Sequence, residues 1–202
     1  AAVEALRNWD YHVSAESVPM SLAQYYGQEL RRNGKAPEGL NYIEQITYYG
    51  QEMPQEERIE FFSTALSQLK ADFGQWNTPW GEINRYQRLN GDIRQPFEDS
   101  KASVAIPMSC SRWGALASFG ASTYPGTKLM YGTSGNSFVA VVEFGDQVKA
   151  KSLLAGGQSG DPSSPHFDDQ VDLYVNGEFK DVAYYRTDVE ARAEETYHPG
   201  SR

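Results

Sequence analysis

The residue types best suited to chemistry gather in one stretch, Gly156-Gly157-Gln158-Ser159-Gly160-Asp161-Pro162-Ser163-Ser164-Pro165-His166-Phe167-Asp168-Asp169-Gln170. A nucleophile, its base and a group that orients the base are one use for such residues, and Ser159, His166 and Asp169 form that set. The pattern departs from a nucleophile elbow, which needs Gly-x-Ser-x-Gly between a strand and a helix: Asp161 stands where the second glycine belongs, and Pro162 and Pro165 interrupt any helix. Asp161, His166, Asp168 and Asp169 also offer oxygen and imidazole ligands, yet their spacing matches neither a calcium loop nor a zinc motif. The alternative for these carboxylates is hydrogen bonding to the N–H groups of their own loop.

Glu143 is the other residue that stands out. It follows Val139 and Val141 on one face of an apolar stretch. Buried there, a carboxylate needs an orienting partner, and a histidine elsewhere in the fold is the obvious one. At the end of its strand, beside Gly145 and Asp146, it would instead reach water. His12 and His198, near the two ends, read as surface residues. The chain opens on Ala1 rather than Met, as a processed piece would, and Ala1 offers no N-terminal Ser, Thr or Cys whose own amine could act as base.

The elements that must hold these residues can be read from periodicity. Residues 1–10 allow a short helix that something must cover, because it lacks the length to be stable alone. Residues 17–32 read as a helix capped by Ser17, with Pro19 in its first turn, Val18, Leu22, Tyr25, Tyr26 and Leu30 on one stripe, and Asn33-Gly34 as the stop. Residues 34–50 form a Pro- and Gly-punctuated connection, helical or extended at 42–49. Residues 54–73 give the clearest helix, with Ile59, Phe62, Leu66, Leu69 and Phe73 spaced for docking and Gly74 as its stop.

After Gly74 the composition turns to loops and short strands, with a brief strand expected in 101–108 that Pro107 confines to a sheet edge or end; residues 113–119 are ambiguous. Residues 137–144 alternate as a strand with apolar residues on both faces, so a central position in a sheet is expected. Gly145-Asp146-Gln147 then turns the chain into a partner strand at 148–154. Beyond the glycine-rich loop, one helical turn at 168–174, a tight turn at Asn176-Gly177 and a strand at 179–185 are expected. A capping box from Thr187 and Glu190 opens a last helix reaching about Tyr197.

The class is therefore α+β, mainly helical over residues 1–75, with strands, loops and a terminal helix over 76–202. Length and a hydrophobic share of 40% allow one sizeable core or part of a larger one. A net charge of −9 argues against binding a phosphate backbone, so no nucleic acid is expected as a partner. Apolar runs such as 139–142 are far too short for a membrane span, so a soluble mature chain with no membrane partner is expected. The single cysteine, Cys110, permits no internal disulfide.

The glycine-rich loop, preceded by Gly135-Asn136-Ser137-Phe138-Val139-Ala140-Val141-Val142-Glu143-Phe144 and followed by Tyr197-His198-Pro199-Gly200, resembles the C-terminal end of the large subunit of the penicillin acylase family. That family takes in penicillin, cephalosporin, aculeacin and acyl-homoserine lactone acylases. The likeness extends back through Trp80-Gly81-Glu82-Ile83 to Leu6-Arg7-Asn8-Trp9-Asp10, so nearly the whole chain would be one C-terminal segment, closest in texture to the lactone and cephalosporin branch. The resemblance implies an amidase of the N-terminal nucleophile class, a four-layer αββα sandwich, autocatalytic maturation into two subunits and a periplasmic or secreted location. The partners implied are the rest of the large subunit, the small subunit and an acyl amide substrate.

The family's nucleophilic Ser, its neighbouring His and its oxyanion Asn lie earlier in the large subunit, and its calcium ligands lie upstream too. No cofactor or metal is assigned to this segment. One role carries over: some branches place a carboxylate near this end of the large subunit to hydrogen-bond the catalytic His, and Glu143 stands at that place. Alone, such a segment is expected to be inactive. The rival readings are a stand-alone binding module gripping carbohydrate or an apolar ligand with its many Tyr and Trp, and a complete small hydrolase built on Ser159.

Overall fold

The computed structural model describes residues 1–92, 95–109, 117–198 and 200. Cys110, most of the ambiguous 113–119 stretch and Pro199 lie outside the described residues. The chain divides into two compact units: Ala1–Gln87 with Phe97–Thr133, and Arg88–Pro96 with Ser134–Arg202.

The first unit is built on helices α1 (Ala2–Arg7), α2 (Val18–Asn33), α3 (Tyr42–Thr47) and α4 (Gln55–Phe73), with a single turn α5 (Trp80–Ile83). Helix α2 starts where Ser17 accepts a hydrogen bond from the Met20 N–H, and its stripe buries Leu22, Tyr25 and Leu30. Helix α4 ends at Gly74 in the left-handed conformation, φ 78°, which a glycine adopts without a Cβ penalty. The expected stripe is partly corrected here: Ala65 and Leu69 are buried and Phe62, Leu66 and Phe73 pack against the core, but Ile59 is 55% exposed.

Leu22, Leu69 and Ile83 are essentially sealed from water, each contributing roughly 1.5–3 kcal/mol of transfer free energy. Ala2, Ala5, Leu6 and Trp9 pack on the same core, and this supplies the cover that α1 needs. Residues 42–49 resolve as helix, with Asn41 and Glu44 making a reciprocal capping box before α3. A π-helical turn, Tyr48–Glu52, follows.

A four-stranded sheet completes this unit in the order β2-β1-β4-β3, from β1 (Asn84–Tyr86), β2 (Val104–Ala105), β3 (Phe119–Ser122) and β4 (Met130–Gly135). β2 is the brief edge strand anticipated around Pro107. β4, which runs parallel to β1, was not anticipated, since its Met-Tyr-Gly-Thr-Ser-Gly sequence carries no alternation. Buried Asn84 holds the sheet by donating from Nδ2 to the carbonyls of Ile106 (2.9 Å) and Met108 (2.8 Å). Gly132 lies against the Phe119 ring, where any Cβ would collide.

The second unit carries a three-stranded antiparallel sheet, β5-β6-β7, from β5 (Phe138–Glu143), β6 (Lys149–Leu154) and β7 (Lys180–Val182). The hairpin forms in the expected place, with Phe138 opposite Leu154 and Glu143 opposite Lys149. The central position expected for 137–144 is corrected: β6 is central and β5 is an edge strand. On β5, Phe138 and Val141 are each 60% exposed, and Phe144 just beyond is 84% exposed. α6 (Val171–Asn176) provides the expected helical turn, ended by Gly177 at φ 67°.

The last helix is corrected as well. α7 spans Arg186–Arg192, Tyr185 occupies the N-cap without a side-chain bond, and Thr187 lies inside the helix. Its first turn is closed by the Asp188 and Val189 N–H groups on the Tyr185 carbonyl, and Glu190 pairs with Arg186 Nε at 2.6 Å instead of forming a capping box. Among the described residues, no helix is long and apolar enough to cross a membrane.

Candidate functional site

The glycine-rich loop leaves β6 at Leu154 and enters α6 at Val171, closed at its base by Gln170. The Gln170 N–H donates to Gly156 O (2.8 Å), and its side-chain oxygen accepts from the Leu154 N–H (3.1 Å). Within the loop, Ser164 N–H donates to Asp161 O and Phe167 N–H to Ser164 O, so two successive turns each enclose one of the prolines. Gly157 is obligatory: a Cβ there would stand 2.1 Å from the His166 carbonyl oxygen. A Cβ on Gly91 would likewise stand 2.2 Å from the Gly160 carbonyl oxygen.

The residue that organises the loop is Arg88, which the sequence did not single out. Its guanidinium donates to the carbonyls of Ser159 (2.8 Å), Gly157 (3.5 Å) and Phe167, and it lies 4.2 Å from the centroid of the Phe167 ring. Five fixed donors on a planar fork suit such a cluster of carbonyls, and the stacked ring adds a cation–π term. Arg88 stands nearly seventy residues before the loop, and no local periodicity joins the two.

Of the proposed triad, the structure brings together two members. His166 Nδ1 and Asp169 Oδ2 are 2.9 Å apart, in the geometry of a base and its orienter, though both side chains are open to solvent. Ser159 is not the third. Its Oγ accepts from the Asp161 N–H (3.1 Å), and its link to His166 runs through the backbone, Ser159 N–H to His166 O at 3.0 Å.

Asp161 caps a turn, accepting from the N–H (2.9 Å) and hydroxyl (2.8 Å) of Ser163. These two donors, the backbone one first, hold its carboxyl below the usual carboxylate range. Among the described residues no three His, Cys, Asp or Glu side chains gather as a metal-binding group. His12 pairs with Asp10 at 3.2 Å in the open, as a surface histidine does.

Glu143 ends β5, exposed, opposite Lys149. It borders a shallow depression of about 310 Å³ shared with Val141, Lys151, Asp181, Tyr185 and Arg192. Lys151 and Arg192 both approach Asp181, at 3.8 Å each. Glu143 is thus presented outward from an apolar edge strand rather than buried within this chain.

The family model for penicillin amidase matches residues 1–191, and the chain belongs to the penicillin amidase family. Among solved structures it is similar to the thermostable penicillin G acylase from Alcaligenes faecalis in its orthorhombic form. The two are 20% identical, with a TM-score of 0.35 over 88% of this chain and 28% of that one. The chain therefore spans little more than a quarter of that acylase chain.

Proposed function

We propose that this chain is the C-terminal portion of the large subunit of an amidohydrolase that cleaves the acyl side chain of an amide through an acyl-enzyme. The substrates would be of the N-acyl-homoserine lactone or β-lactam kind. The observation that carries the reading is the family match across residues 1–191. Amide hydrolysis needs a nucleophile, a base and paired oxyanion donors. In this reading those groups belong to the remainder of the enzyme, within an αββα sandwich of two subunits that works in the periplasm or outside the cell, and this segment alone is inactive.

The segment's contribution is positional. Edge strand β5 shows apolar side chains on both faces, as a strand made for further cover would, and Glu143 leads from its end as the carboxylate that orients the catalytic His. The test uses the whole enzyme, following release of the carboxylic acid from an acyl-homoserine lactone and from penicillin G. Glu143→Gln should lower kcat at least about tenfold and move the pH profile of kcat, since an orienting carboxylate sets the tautomer and basicity of its histidine. An unchanged rate and profile would remove Glu143 from that role. Absence of hydrolysis of either amide by the whole enzyme would remove the activity.

A further inference from the structure

The first unit holds a polar cleft that the amidase reading leaves unused. It takes in about 450 Å³ between α2, the C-terminal half of α4 and the connection from β3 to β4. That is within the range of roughly 300–1,000 Å³ typical of small-molecule pockets. Amides from Gln28 and Gln68, hydroxyls from Ser122 and Thr123, two carboxylates and three cations line it.

These charges do not neutralise one another. Asp72 accepts from Gln68 Nε2 (2.9 Å) and from the Tyr25 hydroxyl (3.4 Å), and Glu29 accepts from Asn33 Nδ2 (2.6 Å), so neutral donors hold both carboxylates. Arg31, Arg32 and Lys128 are open to solvent and enter no ion pair among the described residues. Both signs are felt at one point of the wall: burial raises the Tyr25 phenol above its ordinary value, the Asp72 charge adds to the rise and the Arg32 charge opposes it.

The backbone beneath the cations is fixed before any ligand arrives, which lowers the cost of ordering them. Arg31 and Arg32 stand in the last turn of α2, where the helix dipole favours a positive charge. Lys128 follows a turn in which the Tyr124 N–H donates to Thr127 Oγ1 (2.9 Å), and its own N–H donates to Asp99 Oδ2 (2.7 Å). Guanidinium and ammonium groups are the usual partners of phosphate oxygens, while a carboxylate keeps lone pairs free for further hydroxyl donors.

We propose that this cleft binds a sugar phosphate, its phosphate on Arg31, Arg32 and Lys128 and its hydroxyls on Asp72, Glu29 and Gln28. A bare phosphate leaves the carboxylates without a donor, and a neutral sugar leaves the cations without an anion; a polyol that carries a dianion uses both sets. The inference stands apart from amide cleavage, because the test reads binding alone.

The test is calorimetric titration of the whole protein with glucose-6-phosphate, glucose and inorganic phosphate at low salt, where exposed charges act most strongly. Saturable one-to-one binding of glucose-6-phosphate is expected, with glucose and inorganic phosphate each at least about tenfold weaker, since each forgoes one set of hydrogen bonds to charged groups. The double variant Arg32→Met, Lys128→Met should cost at least about tenfold as well. Ser122→Trp, which fills the cleft from β3 and leaves all three cations in place, should abolish binding. Should Ser122→Trp fail to fold, the double variant, which alters only exposed side chains, decides the matter. The proposal is overturned if glucose-6-phosphate does not saturate, if glucose or inorganic phosphate binds as tightly, or if either variant, folded, binds as well as the wild type. A failure here would leave amide hydrolysis by the same protein untouched.

Discussion

The helical core of the first unit and the hairpin of the second use similar apolar side chains to opposite effect. Leu22, Leu69 and Ile83 are almost wholly removed from water, because α2, α4 and α5 present their stripes to one another. Phe138, Val141 and Val142 on an edge strand, and Phe144 just beyond it, stand in the open, although their stretch is equally apolar. Apolar periodicity therefore reports that a face is made for covering and is silent about where the cover comes from. In the first unit the cover lies within the same segment, and in the proposed enzyme the cover for β5 comes from the remainder of the protein.

The comparison can be broken most forcefully at the core. Leu69→Ala should destabilise the first unit by about 2–5 kcal/mol, through lost transfer energy and the cavity left behind, read by denaturant unfolding. Of the changes in the second unit, Gly157→Ala comes next. The Cβ would meet backbone atoms at His166 and Phe167, so a cost of about 1–3 kcal/mol is expected, with faster amide exchange across residues 156–170. Arg88→Met leaves the Ser159 and Phe167 carbonyls without their charged donor and should cost about 1.5–3 kcal/mol, again read as lost exchange protection in the loop.

The smallest effect concerns acid. Because Asp161 has a lowered pKa in the folded loop, its contribution to stability is present above the ordinary carboxylate value of about 4 and is lost as pH falls through the lower folded value. Protection of the Ser163 amide should therefore persist at neutral pH and fade only in strong acid. Asp161→Asn should remove that acid dependence.

Much of the helical half was legible because its signals are local: the Ser17 cap, the Gly74 stop and the three-and-four spacing of Leu66, Leu69 and Phe73 are all contained in short windows. The hairpin was legible for the same reason. The errors have physical causes. β5 was expected at the centre of its sheet because its residues are apolar on both faces, while strand order depends on partners distant in sequence. Thr187 and Glu190 have capping-box spacing, but the chain enters α7 at Tyr185, and the Arg186–Glu190 pair uses the glutamate.

At the candidate site, the loop and the nearness of His166 and Asp169 could be anticipated from spacing, whereas the need for a glycine at 157 shows only in the fold. Arg88 could not, since its role arises from carbonyls that converge only after folding.

The most direct measurement is amide hydrogen exchange along β5, residues Phe138–Glu143, in the whole protein. An edge strand leaves alternate N–H groups without a partner and exchanging freely, whereas pairing with a further strand slows them. Protection on both edges of β5, comparable with that of β6, is the predicted result. Rapid exchange at the outward N–H groups of β5, at the rate of an open loop, would contradict the account.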